Sequence, residues 1–241
     1  MTRKALFVAM TLVCAWALSA TTQAQDKKDK PKAIPAFDIE ELGKKVFHIS
    51  FPAGEKATLK VKSTDDTDVD LFVDEMDGTE VVKDIDDGKD CLVEFTPLKN
   101  KTYRISVINL GPGSNRCTLT HTGKEEKLDF GKLTTTKPFN IAEDNKHTIN
   151  VKLQEGKLSA VWVFGEKATD IDLFIYDFDG AEVAKDEHLS KDAFVSFVPK
   201  TTGTYRIEVV NLGQGDNTCT VKHTTLEESK KDEPKKKRGD K

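Results

Sequence analysis

Between Phe37 and Thr122 the chain alternates apolar and polar residues in short runs broken by turn residues. Leu59 and Val61 alternate with Lys60 and Lys62, and Val69, Leu71 and Val73 alternate with Asp68, Asp70, Phe72 and Asp74. Ile105 and Val107 alternate in the same way with Arg104, Ser106 and Ile108. Period-two alternation over short runs predicts half-buried antiparallel strands. Asp77-Gly78 and Asp179-Gly180 predict tight hairpins, because glycine supplies the positive φ such turns require. Gly111-Pro112-Gly113 and Gly213-Gln214-Gly215 mark a turn before the last strand. Nothing carries a helical period, and Ile39-Glu40-Glu41-Leu42 makes one turn at most. Short strands at turn spacings of about ten residues predict an all-β sandwich.

The pattern occurs twice. Thr67–Asp84 returns as Thr169–Asp186 with eleven of eighteen positions identical at an offset of 102. The register holds without a gap from Phe37-Asp38-Ile39 and Phe139-Asn140-Ile141 to Cys117 with His121 and Cys219 with His223. One supersecondary plan is therefore used twice. The expected division is a first sandwich over 37–122, a connector over 123–138 and a second sandwich over 139–224. Each unit is long enough to bury a core of its own.

The ends change the picture. Residues 1–24 read as a secretory signal: Arg3 and Lys4, an apolar run from Ala5 to Ala20, then small residues at Thr22 and Ala24. The run is shorter than the ~20 apolar residues of a membrane span, so the expected product is exported, to the cell envelope or beyond it, and not membrane-spanning. Residues 25–36 read as a flexible leader and 225–241 as a charged disordered tail. From Ser229 onward the tail holds seven Lys/Arg against three Asp/Glu, while the whole chain carries −4. The folded body is thus acidic, which argues against a nucleic-acid partner. Beyond the signal the cysteines are Cys91, Cys117 and Cys219. Only the first unit has two, so an export-permitted disulfide would be Cys91–Cys117.

These residues carry a resemblance. Ala53-Gly54-Glu55, Asp68-Val69-Asp70-Leu71-Phe72-Val73, Asp77-Gly78, Phe95-Thr96-Pro97 and Thr102-Tyr103-Arg104-Ile105-Ser106-Val107 occur in order. Asp170-Ile171-Asp172-Leu173-Phe174-Ile175, Asp179-Gly180 and Gly203-Thr204-Tyr205-Arg206-Ile207-Glu208-Val209 repeat them. Both units resemble the bacterial pre-peptidase C-terminal domain, a jelly-roll-like β-sandwich appended to many secreted peptidases and related to collagenase collagen-binding domains. The first copy departs from that pattern at Asn100-Lys101, where the family places a small residue and glycine. No peptidase segment accompanies the units here, so the resemblance implies no proteolysis.

Candidate chemistry is sparse. Asp68, Asp70 and Asp77, with Asp170, Asp172 and Asp179 in the second copy, are hard oxygen donors that could hold Ca²⁺, a cofactor the collagen-binding relatives make more plausible. The alternative is that they cap strand ends or face water. Cys117 with His121 and Cys219 with His223 cannot chelate zinc alone, since residues four apart on a strand lie ~13 Å apart. No nucleophile elbow, HExxH helix, phosphate-cradling loop or Cys/His pair in strand–helix context is present, which points away from an enzyme.

The copies differ most in aromatics. Trp162, Phe164 and Tyr176 stand where the first copy has Lys60, Lys62 and Asp74, and Phe174 matches Phe72. By parity all four rings point outward. They would form a platform for stacking sugars or a peptide if their strands share a sheet. Otherwise the surface packs against the other unit, the connector or the leader. The reading is an exported, non-catalytic binding or adhesion protein for an extracellular polysaccharide or protein. A structural envelope accessory without a specific ligand is the alternative.

Overall fold

The computed structural model describes residues 30–226. The expected signal and nearly all of the expected tail lie outside them. The first unit contains β1 (Lys32–Ile39), β2 (Lys44–Phe51), β3 (Ala57–Ser63), β4 (Val69–Asp74), β5 (Glu80–Asp84), β6 (Asp90–Phe95), β7 (Lys101–Asn109) and β8 (Asn115–His121). The connector contributes β9 (Lys124–Glu125) and β10 (Leu133–Thr135). The second unit follows with β11 (Phe139–Ile141), β12 (Asn145–Leu153), β13 (Ser159–Gly165), β14 (Ile171–Tyr176), β15 (Glu182–Asp186), β16 (Asp192–Phe197), β17 (Gly203–Asn211) and β18 (Asn217–Thr224). No helix among the described residues is long and apolar enough to cross a membrane.

Sheet order β1-β8-β3-β6 faces β5-β4-β7-β2-β9, and β10-β18-β13-β16, with β11 also on β18, faces β12-β17-β14-β15. The chain is all-β, and each half has the two four-stranded orders of an antiparallel jelly roll, one of them extended by a short connector strand. Alternation places the inward residues as expected. Leu59, Val61, Val69, Leu71, Val73, Ile105 and Val107 belong to one core, and Val161, Val163, Ile171, Leu173, Ile175, Ile207 and Val209 to another. The repeated Asn109 and Asn211 are buried pins. Asn109 Nδ2 donates to Ile39 O (3.2 Å) and Gly113 O (2.8 Å), and Asn211 Nδ2 to Ile141 O (3.2 Å) and Gly215 O (2.8 Å). Each ties the first strand of its unit to the turn before the last.

Two of the expected boundaries are corrected. The expected leader is partly a strand, since Lys32, Ala33 and Ile34 pair with His121, Thr120 and Leu119 on β8. The connector is also stitched down: β9 extends the first unit beside β2, and β10 extends the second beside β18. Lys- and Thr-rich composition concealed both, because edge strands need only one row of backbone partners and little apolar surface.

The halves meet through non-equivalent faces. The outer face of β4, β7 and β2 covers β16 and the β15–β16 loop. Lys191 N donates to Leu42 O (2.7 Å), Lys185 N to Asp77 O (3.1 Å) and Ser196 N to Met76 O (3.2 Å). Gly78 (φ 97°) lies against this seam, and a Cβ there would sit 2.0 Å from Lys185 O. Four charges are shut inside. Lys44 Nζ meets Asp186 Oδ2 at 2.6 Å, and Arg104 Nη2 meets Asp74 Oδ2 at 2.9 Å and Asp186 Oδ1 at 3.9 Å, all four side chains at most 1% exposed. Arg104 Nη1 also donates to Phe194 O, and the His188 ring stacks on Phe72 at 3.9 Å.

Burial sets the protonation of this cluster. It lowers Lys44 and pushes His188 down to about 3, so the imidazole is neutral. It pushes Asp74 up to about 6 in spite of Arg104. Burial would raise Asp186 too, but Lys44 and Arg104 outweigh it and hold that carboxyl well below the carboxylate range. Lys44, Arg104 and Asp74 belong to the first unit, and Asp186 is the one of the four charges that comes across the seam.

Candidate functional site

The four aromatics do not form one platform. Trp162 and Phe164 lie on β13 and Phe174 and Tyr176 on β14, which belong to opposite sheets of the second sandwich. Their outward parity is as expected, but the chain crosses from one sheet to the other between β13 and β14. Trp162 packs at 4.9 Å on Phe194 and 5.2 Å on Phe130 of the connector, and His48 of the first unit lies 5.5 Å from Phe194. Trp162 is therefore interface, and Phe164 on the same strand is left 47% exposed.

The other half remains open and is larger than the sequence suggested. Asp172, Phe174 and Tyr176 leave β14 on its outer side, and Phe178 in the following hairpin continues the row, 68% exposed. The Phe174 and Tyr176 rings are 6.5 Å apart and 24° from parallel. Across the strand pair Tyr176 faces Arg206 and Phe174 faces Glu208 on β17. The Arg206 guanidinium lies 4.5 Å from the Tyr176 ring centroid, a cation–π contact worth ~0.5–1 kcal/mol at an exposed site. Glu208 holds Lys146 Nζ of β12 at 3.0 Å and Arg206 Nε at 3.5 Å. The face thus combines a row of rings with a fixed cation and a fixed anion. Sequence reading missed Phe178, Arg206, Glu208 and Lys146, although Phe178 extends the parity of Phe174 and Tyr176 by two residues.

Asp172 ends the row. Burial, with Asp170, Glu187 and Asp186 close by, pushes its carboxyl up to about 7. Between ~4, where an unfolded aspartate releases its proton, and this value, the folded chain holds the proton more tightly than the unfolded chain. Stability from this group therefore falls as pH rises through that window. Asp172→Asn is expected to gain on the parent by roughly 1–3 kcal/mol between about pH 4.5 and pH 8. Urea titrations at the two pH values measure this, and a pH-independent difference would place the carboxyl in water.

The expected calcium sets do not fit. Asp68 and Asp70 lie at the start of β4, whereas Asp77 is in the hairpin beyond its far end, more than ~13 Å of strand away, and Asp170, Asp172 and Asp179 repeat the separation. Asp68 Oδ1 accepts from Gly88 N (2.9 Å), Asp170 Oδ1 from Ser190 N (3.2 Å) and Asp77 Oδ1 from Thr79 N (3.0 Å), which makes these three loop braces. Asp179 N donates to Asp177 Oδ1 at 3.0 Å, within the matching hairpin. Among the described residues no group of three or more His, Cys, Asp or Glu is placed to hold a metal ion.

The expected Cys91–Cys117 bridge is also corrected. Cys91 pairs with Val61 and Cys117 with Ser63, so β3 runs between them. Two inter-strand spacings separate their backbones by about 10 Å, beyond the ~7 Å a disulfide spans. Cys91, Cys117 and Cys219 are free and buried. Burial pushes the Cys117 thiol up to about 11 and the Cys219 thiol up to about 12, and Cys91 Sγ donates to Val69 O at 2.8 Å.

A cavity of about 960 Å³ opens at the end of the first sandwich and is lined by Lys32, Lys56, Lys101 and Lys124. Each ammonium already has an oxygen partner: Gly123 O, Glu94, Glu75 and Glu126 respectively. It offers little unspent charge to an anion.

No family model matches the chain, and no curated protein does. Solved structures with partial likeness include the PBSX exported protein XepA, 10% identical with a TM-score of 0.32, over 81% of this chain and 86% of that one. Tripeptidyl Peptidase 2 is 9% identical at 0.30, over 81% of this chain and 23% of its own. The CBM22-1-CBM22-2 tandem domain of Paenibacillus barcinonensis Xyn10C is 10% identical at 0.20, over 83% and 77%. Likenesses at these scores carry no argument about this chain, whose architecture rests on its own strand pairing.

Proposed function

We propose that this chain is an exported, non-catalytic binding protein built from two pre-peptidase-like jelly rolls, and that it engages an extracellular or envelope polymer, polysaccharide or protein, through the outer face of β12, β17, β14 and β15. The observation that carries this reading is the uncovered row Phe174, Tyr176 and Phe178 with Arg206 and Glu208 fixed beside it. A sheet face that only met water would carry polar side chains there, as β3 does at Lys60 and Lys62. Aromatic and arginine anchors dominate recognition energies, and truncating one costs ~2 kcal/mol or more. Export rests on the pattern of residues 1–24, and the absence of catalysis on the lack of any motif that would support it.

The test is retention of the protein on insoluble envelope material. Phe174→Ala combined with Tyr176→Ala is expected to reduce retention roughly 30-fold or more while leaving the melting curve within a few degrees of the parent. Lys60→Ala, on the outer face of the first unit, is expected to change nothing. Unaltered retention in the double variant would end this assignment of the face.

A further inference from the structure

We infer that the partner of this open face is a second copy of the same chain, docked head to tail so that the interface between the two halves is repeated between molecules; this rests on the binding-face reading above. The inside of the molecule already shows the contact. The outer face of β2, β4 and β7 in the first unit receives β16 and the β15–β16 loop of the second. Because the offset of 102 is gapless, both halves of that contact recur as open surfaces. The receiving surface recurs on the second unit, and the inserting surface recurs on the first.

The receiving residues Lys44, Phe72, Met76, Asp77 and Arg104 recur as Lys146, Phe174, Phe178, Asp179 and Arg206. Lys146, Phe178, Asp179 and Arg206 are exposed, and Phe174 is half-buried. Leu42, whose carbonyl accepts from Lys191 N, has φ 49°, and its counterpart Asp144 has φ 53°, so the same backbone corner is presented twice. On the inserting side Lys185, Asp186, Lys191 and Phe194 recur as Lys83, Asp84, Lys89 and Leu92, with Leu92 53% exposed.

The inserting loop is also already folded into the docking shape. Asp186 is held by Phe194 N on Oδ2 (2.8 Å) and His188 N on Oδ1 (3.4 Å). Asp84 is held in the same way by Leu92 N on Oδ2 (2.7 Å) and Asp86 N on Oδ1 (3.3 Å). A carboxylate in that posture is what Lys44 and Arg104 grip inside the molecule. Asp84 of one copy is therefore complementary to Lys146 and Arg206 of the next. Glu208, standing where the internal contact has Ser106, holds those two cations until the incoming carboxylate competes for them. Asp86 and Glu94 add negative charge to the same edge.

The replacements suit a contact weaker than the internal one. Tyr176 stands in for Asp74 and supports the Arg206 guanidinium by its ring in place of a carboxylate. Asn150 and Leu92 replace the His48 and Phe194 pair, and Asp86 replaces the His188 that stacks on Phe72. Since the contact joins different surfaces and leaves one of each kind open, it propagates from molecule to molecule, as an open chain or, where its rotation closes, as a ring.

The experiment is sedimentation of the full-length chain across a wide concentration range. The parent is expected to show a mass that climbs with concentration beyond a dimer. Lys146→Asp and Asp84→Lys should each weaken association roughly tenfold or more, and mixing the two should restore it, because each interface then pairs opposite charges. If Asp84→Lys fails to fold, Leu92→Arg and Phe178→Asp take its place as single disruptors. A parent that stays monomeric at all concentrations, or variants that associate like the parent, would overturn the inference. Should that monomer still lose envelope retention on Phe174→Ala with Tyr176→Ala, the binding face survives and only its partner was misassigned. Should it retain equally, both readings fall.

Discussion

Asp186→Ala is expected to lower the unfolding free energy by about 3–5 kcal/mol in urea titration at neutral pH. The aspartate is the one anion that Lys44 touches, and it lies within 3.9 Å of Arg104. Removing it leaves two cations and only Asp74 in a seam that water does not enter, and an uncompensated buried charge is among the costlier defects a fold can carry. The carboxylate also braces its own loop through Phe194 N and His188 N, so charge and brace must be separated. Asp186→Asn removes the charge but keeps one oxygen, which can hold the shorter brace to Phe194 N. Adding Lys44→Met to Asp186→Asn should then recover much of the loss, because Arg104 and Asp74 remain as a balanced pair. Because Asp186 is held below its unfolded value, its contribution is present above pH ~4 and is lost as pH falls further. A loss under about 1 kcal/mol at neutral pH would show that water reaches the cluster and that the halves are not clamped there.

Phe194→Ala is expected to cost about 3–5 kcal/mol as well, for a different reason. Ala193, Val195 and Phe197 fill the core of the second unit, so Phe194 points away from it, yet it is only 2% exposed. The first unit covers it: His48 lies edge-on at 5.5 Å, with Trp162 and Phe130 completing the cage. Truncation leaves a void between two rigid sheets that cannot close without sliding one half over the other. A double-mutant cycle with His48→Ala should report ~0.5–1.5 kcal/mol of coupling, the range of ring pairs. Uncoupled effects, or a cost near that of an exposed phenylalanine, would mean that the halves part in solution.

Local chemistry alone determined much of this molecule. Period-two alternation assigned the inward residues of β3, β4 and β7 and, through the repeat, of β13, β14 and β17, and Asp-Gly at 77–78 and 179–180 marked the hairpins, because both signals act within a few residues. Parity likewise turned Trp162, Phe164, Phe174 and Tyr176 away from their own core. Only the tertiary structure decided which outward residues share a face. Strand β13 pairs with β16 and β18, and β14 pairs with β15 and β17, so neighbours in sequence end on opposite sheets. The same crossing put β3 between Cys91 and Cys117 and spread the six aspartates along β4 and β14 and into their hairpins. An amphipathic strand shows one pattern whichever sheet it joins, and its partners are chosen by contacts many residues away. The covering of one half by the other was equally hidden. Asp74 and Tyr176 occupy the same repeat position, but Asp74 is sealed at 0% exposure against a second sandwich while Tyr176 stays partly open. Charged residues such as Lys44, Asp74, Arg104 and Asp186 read as water-facing in any sequence, and only their mutual pairing, completed by Asp186 from across the seam, makes their burial tolerable.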